Sequence, residues 1–87
     1  MIIEVVPSGG DTEVEIILYN NFYGANLENA SFVNTNLTWI DFTNANLRDA
    51  DLTNSDLSNS YLVGADLTGA NLTNADLTGA NLTNADL

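Results

Sequence analysis

The residues able to do chemistry in this chain are almost all oxygen-bearing. Asp56, Asp66, Asp76 and Asp86 recur every ten residues, and Thr68, Thr73, Thr78 and Thr83 every five. Regularly spaced carboxylates are the groups from which acid–base pairs and hard-cation sites are built. The rest of a catalytic apparatus is missing. The 87 residues contain twelve acids, a single basic residue (Arg48), no His and no Cys. Lack of His removes the commonest general base and zinc ligand. Lack of Cys removes disulfides and leaves the redox compartment unconstrained. No nucleophile–base pair can be drawn, so the expectation is a protein that is not an enzyme and has no catalytic residues, cofactor or metal.

The positioning elements follow from a strict internal period. From Phe22 to Leu87 a large apolar residue stands at every fifth position: Phe22, Leu27, Phe32, Leu37, Phe42, Leu47, Leu52, Leu57, Leu62, Leu67, Leu72, Leu77, Leu82 and Leu87. Two places before most of them is a small residue, such as Ala25, Ala45, Ser55 or Ala65. Five residues rotate a helix by a net angle of about 140°, so the series would spiral around a helix instead of lining one face. Five is also neither the 3.5 of a coiled coil nor the two of a flat strand. A short extended segment followed by a corner does fit. It points the apolar residue and the small one inward and leaves Asn, Asp and Thr outside. Repetition then winds a solenoid.

The units read A-(D/N)-L-x-x, as in Ala65-Asp66-Leu67-Thr68-Gly69 and Ala70-Asn71-Leu72-Thr73-Asn74. This pattern resembles the pentapeptide-repeat family, over residues 20 to 87. The earlier units drift, with Ile40 in an Ala position and Tyr61 in an Asp/Asn position. The resemblance implies an all-β fold, a right-handed quadrilateral β-helix with four pentapeptides per coil and about three and a half coils. Stacked positions then differ by twenty, and the rod is about 17 Å long at about 4.8 Å per coil. One internal column is Phe22, Phe42, Leu62 and Leu82, beside Asn20, Ile40, Ser60 and Ala80. Arg48 stacks over Glu28. Asp66 stacks with Asp86 and Asp56 with Asp76, and paired carboxylates can in principle share a cation or hold one raised pKa. A flat face offers too few oxygens for a hard cation and no cleft for a glycosidase pair, so these columns read as a solvated surface. The Thr columns carry one Thr per strand, short of an ice-binding array. The sequons Asn29-Ala-Ser31, Asn36-Leu-Thr38, Asn71-Leu-Thr73 and Asn81-Leu-Thr83 are by-products of the repeat.

Two units are expected, 1–19 and 20–87. Met1–Val6 and Glu13–Tyr19 are β-branched-rich and flank the turn-forming Pro7-Ser-Gly-Gly-Asp-Thr12, predicting an N-terminal β-hairpin that caps the first coil or offers an edge for docking. At the other end Leu77, Leu82 and Leu87 would lie in an uncapped coil and form an end interface. Tyr23, Trp39, Tyr61 and Val63 break the outward polar pattern. They are the candidate partner-binding residues, unless the hairpin covers them.

A formal charge of −11 and a pI near 4.1 disfavour direct contact with nucleic acid or an anionic membrane. No segment is long and apolar enough to span a bilayer, and no signal peptide is visible, so a cytoplasmic location is expected. The functional expectation is a rigid acidic module that binds a protein partner or self-associates through a solenoid end as a homo-oligomer. Two alternatives accompany it. One is the DNA mimicry by which some members of the family act on DNA gyrase, disfavoured here by length. The other is a head-to-tail filament.

Overall fold

The computed structural model describes residues 21–87. The hairpin expected within 1–19 and the inward position expected for Asn20 lie outside the described residues.

Every side of the solenoid is one five-residue unit built the same way. In the unit Asp41–Ala45 the residue before the apolar one forms a β-bridge, Phe42 points inward, Thr43 and Asn44 turn the corner, and Ala45 points inward again. The Ala45 N–H donates to the Phe42 carbonyl at 2.9 Å, closing a four-residue turn. Only the third residue of that turn, Asn44, has a positive φ, of 60°, which makes it a type II turn. The same slot has positive φ in nine non-glycine residues and four glycines among the described residues. Most are Asn or Gly, the types that tolerate the left-handed region.

The coil repeat is twenty residues. Parallel bridges pair Asn21 with Asp41, Asp41 with Tyr61 and Tyr61 with Asn81, and likewise on the other sides through Asp66 with Asp86. Each rung has two directions of hydrogen bond: Leu27 N–H donates to the Asn46 carbonyl at 2.8 Å, and Asn46 N–H to the Ala25 carbonyl at 2.9 Å. Four units therefore make one coil, giving coils 21–40, 41–60 and 61–80 and the start of another at 81–87. The expected extended segments shrink to isolated bridges, because a turn follows each inward residue and leaves no room for a longer strand.

The core is the stack of inward residues. Leu27, Phe32, Leu37, Phe42, Leu47, Leu52, Leu57, Leu62 and Leu67 are buried, with Ala30, Ala45, Ala50 and Ala65 beside them. Phe22, Phe32 and Phe42 form a ring cluster at the N-terminal side, with centroids 5.5–6.1 Å apart. At such separations tilted and offset ring pairs attract beyond their area burial. Toward the C-terminal side Leu72, Leu77 and Leu82 are only partly buried and Leu87 is 72% exposed.

Candidate functional site

The outward face is organised by short side-chain-to-backbone locks. Asp or Asn before the apolar residue turns its Oδ1 toward the backbone two residues on. Asp66 Oδ1 accepts the Thr68 N–H at 3.0 Å and the Thr68 hydroxyl at 2.6 Å. Asn71 with Thr73, Asp76 with Thr78 and Asn81 with Thr83 repeat this geometry. Such bonds favour a turn directly after the residue that accepts them. Ser31 and Tyr61 have no such oxygen, and the residue two places on is then Val33 or Val63. The hydroxyl is thus placed where a carboxylate or amide can receive it.

These locks set the electrostatics of the acidic columns. Asp66 bridges to Asp86, and Asp56 to Asp76, as the twenty-residue register requires. Asp66 and Asp76, and also Asp51, lie below the ordinary carboxylate range, chiefly because a Thr hydroxyl and the same Thr's N–H bond the charged form. Arg48 corrects an expectation. Its register partner is Glu28, but its guanidinium makes an ion pair with Asp66 at 3.1 Å. Asp66 is already oriented by Thr68 and stands within reach on the next coil. The pair is solvent-exposed, so water and salt screen it and it contributes little to stability. Among the described residues no group of three or more Asp or Glu converges into a metal site. No helix among them is long and apolar enough to cross a membrane.

Three of the four candidate aromatic and apolar residues are exposed: Tyr23 by 61%, Trp39 by 55% and Tyr61 by 45%. Val63 is half-buried. Tyr61 lies beside the Trp39 corner, its N–H donating at 2.9 Å to the carbonyl of Ile40, the residue after Trp39. Tyr23 shares the side with Val63, but Thr43 lies between them in the column.

Trp39 is also the conformational exception. It occupies the left-handed turn slot with φ 65°, where every other described residue is Gly, Asn or Asp. A bulky side chain there costs about 1–2 kcal/mol. Its small-residue neighbour is Ile40, buried to 1% exposure. The ladder loosens at this point. Trp39 N–H to Ser58 carbonyl and Ile40 N–H to Leu37 carbonyl are both 3.3 Å, the longest of the backbone bonds. Sequence reasoning located the aromatic corner but not its strain. The signal was present, as a Trp in a slot otherwise filled by Asn, Gly and Asp.

Of the predicted end-interface residues, Leu77 lies in coil 61–80, and Leu82 and Leu87 lie in the segment 81–87 that follows it. Leu77 and Leu82 are partly buried and Leu87 is the most exposed of the three. The N–H groups of Leu72, Leu77 and Leu82 donate to no backbone acceptor among the described residues, because no described coil follows.

A solenoid of five-residue sides, with parallel bridges offset by twenty, is the architecture of one class of repeat protein. The family model for pentapeptide repeats (8 copies) matches residues 21–59 and 50–87, and the chain belongs to the pentapeptide repeat family, whose members form right-handed quadrilateral β-helices. Among solved structures it is similar to a pentapeptide repeat protein from the Arabidopsis thaliana thylakoid lumen, at 40% identity and a TM-score of 0.73. That match covers 76% of this chain and 46% of the other. HetL, a pentapeptide repeat protein involved in heterocyst differentiation regulation in Nostoc sp. strain PCC 7120, matches at 30% identity with a TM-score of 0.41, covering 77% of this chain and 32% of HetL. Another pentapeptide repeat protein from Nostoc PCC 7120 is 35% identical, with a TM-score of 0.39 and coverage of 95% and 75%. The chain thus spans less than half the length of the Arabidopsis protein and about a third of HetL. No curated protein matches the sequence.

Proposed function

We propose that this chain is a non-enzymatic protein-interaction module, a rigid acidic β-helix that associates through the open edge of its last coil. The observation behind this reading is that edge. Leu72, Leu77 and Leu82 are incompletely buried, Leu87 is 72% exposed, and successive N–H groups have no acceptor among the described residues. An unpaired row of this kind is a template for strand addition. The occupant in this reading is a second copy related by a two-fold axis, placing Leu77, Leu82 and Leu87 against their equivalents. The alternative of a DNA mimic has the net charge of −11 behind it, but a rod of about 17 Å matches only about five base pairs.

The test is solution mass by light scattering, at several protein concentrations and two ionic strengths. Like charges on facing acidic surfaces oppose association and salt screens them. The expected result is a dimer whose population grows with salt, and which Leu82→Asp abolishes without loss of the β-helix circular dichroism. A monomer under every condition overturns the reading. Association that weakens with salt points to a charge-driven interface on the sides instead.

A further inference from the structure

One carboxylate on the outer face has an incomplete lock, and the four candidate aromatic and apolar residues surround it. Every other Ser or Thr placed two residues after a described bridge residue donates its hydroxyl, as well as its N–H, to the Oδ1 before it. Asp41 is the exception: its Oδ1 accepts the Thr43 N–H at 2.9 Å without the Thr43 hydroxyl, and among the described residues no donor reaches its Oδ2. Tyr61 stands beside Asp41 on the next coil, since the two residues form a parallel bridge. Thr43 lies between Tyr23 and Val63 in the adjoining column, its carbonyl accepting the Gly24 N–H at 2.8 Å and the Val63 carbonyl accepting the Asn44 N–H at 2.8 Å. Trp39 occupies the corner two residues before Asp41. The chain supplies no cation here, because its one basic residue, Arg48, is held by Asp66.

A carboxylate with open acceptor sites among exposed aromatic rings is complementary to a flat cation. We propose that this corner takes an arginine side chain from a basic segment of a partner protein. Asp41 receives guanidinium N–H groups, Trp39 and Tyr61 offer ring faces to the cation, and Tyr23 and Val63 border its aliphatic stem. A lysine ammonium, a compact point charge, would use the carboxylate but gain less from the rings. Charge and size both select this occupant. The net charge of −11 draws a basic segment and repels a second copy of the chain. One side of the solenoid, four rungs high at about 4.8 Å each, offers roughly 300 Å², well below the about 800 Å² per partner of a standard protein–protein interface. A short segment therefore fits it, and recognition reads one side chain rather than the length of a rod. The site lies apart from the edge of the last coil, so it goes beyond the association proposed above and stands if that association fails.

Trp39 is the only tryptophan, so its fluorescence reports on this corner directly. The probes are two synthetic nonapeptides, one alternating Gly with Arg and the other Gly with Lys, added to the full-length chain. The Arg peptide should change Trp39 emission in a saturable titration, shield it from acrylamide and bind more tightly than the Lys peptide. Asp41→Asn should weaken that binding by about tenfold, the loss expected when a hydrogen bond between charged groups is removed. The fold should tolerate it, because Asn21 in the same column accepts the Tyr23 N–H at 2.7 Å in the same way. Asp51→Asn, an equal loss of charge on another side, should leave binding nearly unchanged. Equal weakening by the two variants overturns the proposal, since attraction is then diffuse. Equal affinity for the two peptides overturns it as well. So does binding seen by calorimetry without a Trp39 response, and so does a Trp39 already shielded from acrylamide in the free folded chain.

Discussion

Asp76 Oδ1 receives two hydrogen bonds from one residue, the Thr78 N–H at 2.9 Å and the Thr78 hydroxyl at 2.6 Å. The arrangement recurs along the outer face, and at Asp51, Asp66 and Asp76 it ties stability to pH. Asp51, Asp66 and Asp76 are held below the ordinary carboxylate range by their Thr donors. The unfolded chain therefore takes up these protons first as pH falls. Their stabilisation is present above the ordinary carboxylate pKa and lost as pH drops through the depressed values.

The first prediction concerns Asp51→Asn with Asp76→Asn. Asn71 shows that an amide Oδ1 accepts the same two bonds. The double variant should fold normally at neutral pH and show a shallower loss of urea midpoint between about pH 5 and about pH 2. Parallel acid curves for variant and parent would mean that these locks do not govern acid stability.

Ser60 yields the second. Its Oγ is buried and has no hydrogen-bond partner, whereas the Ser55 hydroxyl donates to the Leu52 carbonyl at 2.7 Å. An unsatisfied buried hydroxyl is unfavourable by about 1–3 kcal/mol. Ser60→Ala should raise stability by about 1 kcal/mol, while Ser55→Ala should be neutral or lower it. Denaturant midpoints of the two variants, measured side by side, check this. A loss of stability in Ser60→Ala would show that the hydroxyl has a partner in solution.

The third is a coupling between coils. Gly69 has φ +75°, and a Cβ there would collide with the Asp49 carboxylate one coil below. Gly69→Ala should lose about 1–2 kcal/mol from the left-handed backbone, and more from the collision. In the Gly69→Ala background Asp49→Gly should remove the collision, and the cycle cancels the separate relief of Asp49's own left-handed backbone (φ 58°). The double-mutant cycle should therefore give a favourable interaction energy for the pair; strict additivity would show that the Asp49 side chain swings away at no cost.

The fourth concerns the core. Leu52 is fully buried at the centre of the stack, between Phe32 and Leu72 in its column. Leu52→Ala should destabilise by about 2–5 kcal/mol. Because each coil is held by its neighbours, the loss should appear as one cooperative transition at a lower temperature in calorimetry, not as a separate local melt.

The coil repeat, the inward columns and the corner positions were legible because a period constrains all units together. One residue out of phase would show against fourteen. The partner of Arg48 was not legible, since register fixes Cα positions while a long side chain leans toward whichever acid is already oriented, here Asp66 rather than Glu28. The lowered values of Asp66 and Asp76 were not legible either, because their chief cause is the Thr two residues on, whose donor geometry depends on the turn. Trp39 was read as an exposed aromatic, but its more telling property is the φ its slot imposes, which emerges only once the turn type is known.

The twenty-residue offset also sets which changes of length the molecule can absorb. Removing twenty residues from the middle would leave every later side chain over the column it had before. Removing five would keep Leu inside and Asn outside, yet shift each later residue to the next side. The packing would hardly register such a loss. The pairing of Tyr61 with Ile40 beside the Trp39 corner would not survive it, because that corner depends on the count between them as well as on the pattern. Gain or loss of a single unit is therefore a route by which the surface of this protein can be rewritten while its interior stays the same.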